Sequence, residues 1–228
     1  MLTYEQKVNL SKNIIAHLFD ERKSIFMTFS GGKDSTVLLD LVKKVTSRDF
    51  KVIGIDTRFE FPETIAFTNS IIKKYNLDFQ YVRPTEEDHE KIMADYAGEN
   101  MKNGQWYCCA HKEPALESFL VNGNHETWIT GLRSDETENR RYIGIYQNAK
   151  CNILKVNPII FWTLEDIWHY IKTEGLEYHP MYDKGYKSLG CKPCTEAGFR
   201  EGKGAQSKFE NVGLSHERGG NTECGIHL

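Results

Sequence analysis

Six cysteines are the side chains best able to do chemistry in this chain, and their spacing sorts them. Cys108 and Cys109 are adjacent in "WYCCAHK", while Cys191 and Cys194 form a CxxC pair in "LGCKPCT", with 81 residues between the two pairs. A CxxC pair grips one metal or cluster from a turn, and four thiolates complete a site. Two adjacent cysteines are hard to bring to one tetrahedral zinc and sit more comfortably on different irons of a cubane. Buried free thiols and a zinc site are the competing readings. Cys224 stands almost at the chain end in "NTECGIHL", with His227 close behind. Residues there are usually expendable, so Cys224 is either an accident of a ragged tail or a nucleophile on an arm.

The second chemical feature is "SGGKDS", Ser30 to Ser35, directly after an apolar run and directly before a helical pattern. Gly31 and Gly32 let backbone amides approach an anion closely. The helix start adds unpaired N–H donors and the positive end of its dipole. Lys33 adds a full charge, and Ser30 and Ser35 add hydroxyl donors. A tight turn with no ligand is the bland alternative. The Walker spacing GxxxxGK[ST] is absent.

These residues need a scaffold, and the periodicity supplies one. A helix is expected over Tyr4–Asp20, a buried strand over Ser24–Phe29, a helix over "KDSTVLLDLVKKV" and a strand over Lys51–Asp56. Pro62 opens "PETIAFTNSIIKKY" at a first helical position. A strand "DFQYV", helices near Glu86–Tyr96 and Ala110–Leu120, a strand over Thr127–Leu132 and a helix from "TLED" to about Lys172 follow. The alternation predicts an α/β fold with one doubly wound, mainly parallel sheet. Residues 1–194 read as one domain carrying the anion loop and the four-cysteine site, and 195–228 as an irregular C-terminal arm. Trp162, Trp168 and Tyr170 read as helix packing, His89, His125 and His179 as scattered, and Cys151 in "AKCNIL" as a small core hydrophobe.

Composition excludes several classes. A net charge of −3 gives no global basic field, so nucleic acid is not an expected partner. No apolar run is long enough to span a membrane, and "MLTYEQKVNL" is no signal peptide. A cytoplasmic protein is expected, with its cysteines used as ligands, catalysts or thiols rather than disulfides.

"SGGKDS" resembles the PP-loop of the adenine nucleotide α-hydrolase-like fold. The CC…CxxC arrangement, "YDKGYKSLGCKPCT" and "TECGIH" together resemble the assimilatory sulfonucleotide reductases, with looser matches in "IDTRFEFPET" and "TGLRSDETENR". The resemblance implies one 4Fe–4S cluster on Cys108, Cys109, Cys191 and Cys194, and Cys224 as nucleophile with His227 beside it. It implies reduction of adenylylsulfate (APS), or its 3′-phosphorylated form (PAPS), to sulfite. The route is an S-sulfocysteine resolved by thioredoxin or glutaredoxin. Substrate contacts fall on Ser30, Gly31, Gly32, Lys33, Asp34, Ser35, Asp56, Thr57, Lys112, Arg133 and Arg140; for the two arginines a solvated surface role is the alternative. The chain departs from the family in reading Asp56-Thr57-Arg58-Phe59 where Asp-Thr-Gly-Arg is usual, and in having one residue fewer before Lys112. Arg200 and Arg218 are the arginines available near the terminal motif. A homo-oligomer is compatible with the sequence. The rival readings are an ATP-using PP-loop enzyme of sulfur insertion or DNA sulfur modification, with little use for "TECGIH", and a non-catalytic nucleotide- or metal-binding module.

Overall fold

A computed structural model describes residues 2–102 and 105–198. Cys224, His227, Arg200 and Arg218, and all but the first residues of the expected arm, lie outside them. The described chain groups into two compact units. The first comprises the chain up to Gly54 together with Ile71–Gln80 and Gly123–Tyr178; the second comprises Ile55–Ser70, Tyr81–Asn122 and the residues from His179 onward.

The first unit is built on a six-stranded sheet. Helix α1 (Tyr4–Glu21) leads into β1 (Ile25–Thr28), α2 (Lys33–Val45) and β2 (Lys51–Ile55). Helix α3 (Pro62–Tyr75) leads to β3 (Asp78–Val82). Strands β6 (Thr127–Ile129), β7 (Tyr146–Asn148) and β8 (Leu154–Val156) complete the sheet, and α7 (Leu164–Glu174) follows. The strand order is β3-β2-β1-β6-β8-β7. Strand β1 pairs in parallel with β2 and with β6, and β6 with β8; β7 alone runs antiparallel, against β8. The chain therefore leaves β1 first to one side and later returns to the other, which makes the β1–β6 boundary the topological switch point where doubly wound sheets hold ligands.

The expected alternation is present, with shorter strands than the apolar runs suggested. Thr127–Leu132 is a strand only to Ile129. Phe26, Met27, Val52, Ile53 and Ile129 are fully buried, as continuous apolar strands covered on both faces must be. Helix α7 begins with a full capping box, in which Thr163 Oγ1 accepts from Asp166 N and the Asp166 carboxylate accepts from Thr163 N. Trp162 and Tyr170 are core residues: Trp162 Nε1 donates to Ser11 Oγ (3.0 Å) and Tyr170 Oη to Asp40 Oδ2 (2.8 Å). Cys151 corrects its expectation. It is exposed, at φ 60° beside Asn152 at φ 56°, so it forms a left-handed turn on the surface and fills no core.

The second unit carries α4 (Glu86–Tyr96), a two-stranded hairpin of β4 (Met101–Lys102) and β5 (Gln105–Trp106), the short α5 (Tyr107–Ala110), α6 (Lys112–Asn122) and α8 (Lys192–Gly198). Its buried His179 sits between Thr64 Oγ1 (3.0 Å from Nε2) and Met181 N, which donates to Nδ1 (3.2 Å). With Nδ1 accepting, Nε2 carries the single proton and the ring is neutral. Burial pushes its pKa down to about 4. The unfolded chain therefore binds this proton below pH 6.5 and the folded chain does not, so stability is lost as pH falls from about 6.5 towards 4. His179→Gln should flatten that part of the curve by on the order of 3 kcal/mol at most. Urea midpoints measured across the window check this, and identical slopes in both proteins would refute it.

Among the described residues, no helix is long and apolar enough to cross a membrane.

Candidate functional site

In the first unit the chain leaves β1 through Phe29 and turns at Gly31, whose φ of 71° suits glycine. Ser30 and Ser35 close the loop. Their hydroxyl oxygens are 3.2 Å apart, Ser30 N donates to Ser35 Oγ, and Gly32 N donates to Ser30 Oγ. Helix α2 then starts with Gly32 as its N-cap and no side-chain cap bond. No side chain thus covers the positive end of this 13-residue helix, the arrangement that favours an anion. On the neighbouring strand, a Cβ at Gly131 would stand 3.3 Å from the Ser35 amide nitrogen, so this glycine lets the end of β6 lie against the loop.

Three cations converge on this edge. Lys33 and Arg133 are 5% and 3% exposed, and Arg140 is 4% exposed. Solvated surface roles for the two arginines are therefore excluded. Asp34 bridges the first pair, 3.1 Å from Lys33 Nζ and 2.6 Å from Arg133 Nε. Burial alone would raise the Asp34 pKa, but the Lys33 and Arg133 charges outweigh it and hold the carboxyl below its usual range. Arg133 also pairs with Asp135, and Arg140 with Glu136. Glu136 was not singled out by sequence, and neither its type nor its spacing distinguishes it from a surface acid.

In the second unit, Cys108, Cys109, Cys191 and Cys194 come together with all four Sγ atoms within 4.8 Å of one another. Cys108 and Cys109 lie on α5; Cys191 immediately precedes α8 and Cys194 lies within it. All four are buried, packed against Phe59, Trp106 and Tyr107. The start of α8 is fixed locally: Lys192 N donates to Phe59 O (2.7 Å), Gly190 N to Thr195 Oγ1 (3.1 Å) and Cys194 Sγ to Cys191 O (3.3 Å). Hydrogen bonds from the other three sulfurs push the Cys108 thiol far up and the Cys191 thiol well down. Four thiolates can share such an apolar site only if a cation compensates them. The all-sulfur donor set fits a thiophilic metal or an iron–sulfur cluster.

Two neighbours of the sulfurs were not expected there, Thr57 having been read as a substrate contact and His111 not at all. Thr57 Oγ1 stands 2.9 Å from Glu60 Oε1 and 3.3 Å from Cys191 Sγ, which gives this wholly buried threonine a place beside the sulfurs. His111 donates from Nδ1 to Tyr107 O (2.7 Å), and its Nε2 faces His89 Nδ1 at 2.9 Å. Since a carbonyl can only accept and burial disfavours the doubly protonated ring, Nε2 must accept from His89. Only proximity along the chain, a histidine two residues after the cysteine pair, could have signalled this. Lys112 is half-buried at the start of α6, and its charge favours the Cys191 thiolate.

Asp56 anchors the turn after β2. Its Oδ1 accepts from Arg58 N (2.8 Å) and its Oδ2 pairs with Arg83 Nε (2.8 Å). Arg58 occupies φ 70°, the left-handed region that glycine takes without strain. A bidentate pair with Glu86 (2.6 and 2.9 Å) holds it there.

A family model described as the phosphoadenosine phosphosulfate reductase domain matches residues 24–197. Among curated proteins, an adenosine 5′-phosphosulfate reductase from Bacillus anthracis is 31% identical over 237 residues, covering 100% of this chain and 99% of its own length. One of the same name from Bacillus pumilus is 28% identical, with 98% and 91% covered. Among solved structures, phosphoadenylyl-sulfate reductase from Candida auris in a phosphate complex superposes with TM-score 0.64 at 20% identity, over 84% of this chain and 97% of its own. An NH3-dependent NAD synthetase from Campylobacter jejuni superposes with TM-score 0.55 at 15% identity, over 89% and 86%, a likeness of fold alone.

Proposed function

The chain belongs to the phosphoadenosine phosphosulfate reductase domain family, and we propose that it reduces adenylylsulfate, with PAPS as a second substrate, to sulfite and the nucleotide monophosphate or bisphosphate. The observation that carries this reading is the buried group of four cysteines on a chain that also holds an uncapped phosphate loop. An ATP-using enzyme of the same fold would have little use for the terminal "TECGIH".

The roles follow from the chemistry of each group. The loop amides, Lys33, Arg133 and Arg140 bind the phosphosulfate oxygens, with Ser30 and Ser35 shaping the loop. Asp56 and Thr57 carry the turn assigned to adenosine. The Cys224 thiolate attacks the sulfur of the phosphosulfate; an S–S bond forms, the S–O bond to phosphate breaks, and AMP leaves with that electron pair. A dithiol protein of the thioredoxin or glutaredoxin type then attacks Cys224 Sγ. Sulfite departs with the S–S bonding pair, and the donor's second thiol closes its own disulfide. The donor is oxidised by two electrons and the sulfonate is released reduced. A free cysteine thiol has a pKa of about 8.5, so a neighbouring cation or His227 must favour the thiolate.

Cys108, Cys109, Cys191 and Cys194 would hold a 4Fe–4S cluster. The adjacent pair on α5 suits two different irons better than one ion. Bound there, the cluster supplies charge compensation for the buried thiolates and a local electrostatic field.

The test is a single turnover without reductant. Anaerobic protein is incubated with APS or PAPS and its intact mass measured. One added sulfonate, localised to the peptide carrying Cys224, is expected. Protein that retains its iron and gains no sulfonate from either nucleotide would overturn the proposal.

A further inference from the structure

The ion pairs around the phosphate loop join three cations, Lys33, Arg133 and Arg140, to three carboxylates, Asp34, Asp135 and Glu136. With every group ionised the set sums to zero. APS brings two negative charges, neither of which titrates near neutral pH, because a phosphate diester-like group and a sulfate ester are both strong acids. A set that sums to zero adds no net attraction to what the start of α2 offers a dianion, whereas protonation of one carboxylate would add a positive charge.

The structure singles out which. Glu136 Oε2 accepts from Arg133 N (3.1 Å) and pairs with Arg140 Nη1, so its carboxylate already sits on donors suited to an oxyanion. The charged groups facing it are Lys33 and Asp34 of α2, Arg133 and its neighbour Asp135 on the segment after β6, and Arg140 on the 3-10 turn. Asp34 is pinned between Lys33 and Arg133 and stays ionised. Asp135 has 36% of its side chain exposed and accepts from Leu164 N (3.0 Å) besides pairing with Arg133. Glu136 keeps 23% exposure, and burial pushes its pKa above the usual carboxylate range despite Arg140.

We propose that Glu136 is a proton-linked counter-ion of the anion site: as a sulfonucleotide binds, the Glu136 carboxylate takes one proton from solvent and Arg140 turns its donors to the incoming oxygens. This rests on the proposed substrate class. Protonation leaves these six groups with one net positive charge and weakens the hold of Glu136 on Arg140, because a neutral carboxyl keeps its acceptor oxygen but loses its charge. Glu136 is thus a positioning residue that acts through Arg140, and it makes affinity depend on pH even though the ligand does not titrate.

The sign follows from linkage. Where free Glu136 is ionised and bound Glu136 is protonated, each pH unit upward weakens binding by up to tenfold. The experiment is titration calorimetry of APS into the full-length, cluster-loaded Cys224→Ser protein, where turnover is blocked. It is run from about pH 6 to about pH 8.5 in buffers of different ionisation enthalpy. Uptake approaching about one proton per nucleotide is expected at the upper end, with the dissociation constant rising in step. The Cys224→Ser/Glu136→Gln protein should take up none and should bind more tightly than its parent at the upper pH. Glutamine keeps the acceptor for Arg133 N and for Arg140, so a purely structural role would leave the proton count unmoved. Binding without proton uptake in the Glu136 protein, a count that needs no further variant, would overturn the inference alone. An unchanged proton count in the glutamine variant would overturn it as well. No binding of APS or PAPS in any buffer would overturn the substrate reading and the inference with it.

Discussion

Cys224→Ser is expected to lower sulfite release by more than about a thousandfold while changing nucleotide affinity by less than about threefold. The split follows from the division of labour. Binding is assigned to the loop, where Lys33 and the two arginines are already buried and fixed by ion pairs. Bond making is assigned to the sulfur of Cys224, which lies beyond the last described helix, ending at Gly198. A serine hydroxyl at neutral pH is neither ionised nor soft enough to attack sulfonate sulfur, whereas a thiol with a pKa of about 8.5 supplies some thiolate even unassisted. Steady-state sulfite assays with a dithiol donor, paired with calorimetric titration of APS, separate the two quantities. Full turnover by the serine variant would remove Cys224 from the mechanism. A parallel loss of binding would show that its segment helps form the nucleotide site.

What was legible in the sequence depended on how local its physical cause is. Helix α2 was readable to the residue because glycine, lysine and a 3.6-period apolar stripe all act within one turn, and α3 because Pro62 fixes its start. Strands β7 and β8, three residues each, were missed because their pairing, not their pattern, defines them. The same contrast separates the site residues. "SGGKDS" announces an anion loop by itself. The burial of Arg133 depends on Asp34, 99 positions away in sequence, and that of Arg140 on Glu136 in a segment that reads as solvated charge. Thr57 shows the intermediate case. Its position at a strand end suggested a contact with adenosine, yet its hydroxyl lies against Cys191, a neighbour 134 residues away that only the fold brings near. Cys151 failed for a different reason: a left-handed backbone leaves no mark on residue type when glycine is not used.

Cys191→Ser should strip the proposed metal centre. Cys191 is fully buried, its sulfur faces Thr57 Oγ1 at 3.3 Å, and it stands at the head of the helix that also carries Cys194. Serine keeps the size and even the hydrogen bond. It does not keep the ligand, since an alcohol there stays protonated where a thiol ionises to bind iron. Three thiolates would remain in an apolar pocket, one ligand short of the set proposed to hold the cluster. Iron and acid-labile sulfide should fall from about four each per chain to near zero on purification, with loss of the visible absorption of the cluster. Because α5 and α8 then lose their shared anchor, protease nicking of the segments around Tyr107 and Lys192 should quicken in step. Unchanged iron would show that Cys191 is no ligand. Zinc in place of iron in the unmodified protein would keep the four-sulfur site and refute the cluster. The variant with iron lost and folding retained would leave the phosphate loop as the test piece: nucleotide binding that survives there would assign the anion site to the loop and the sulfur site to a separate role in the reaction.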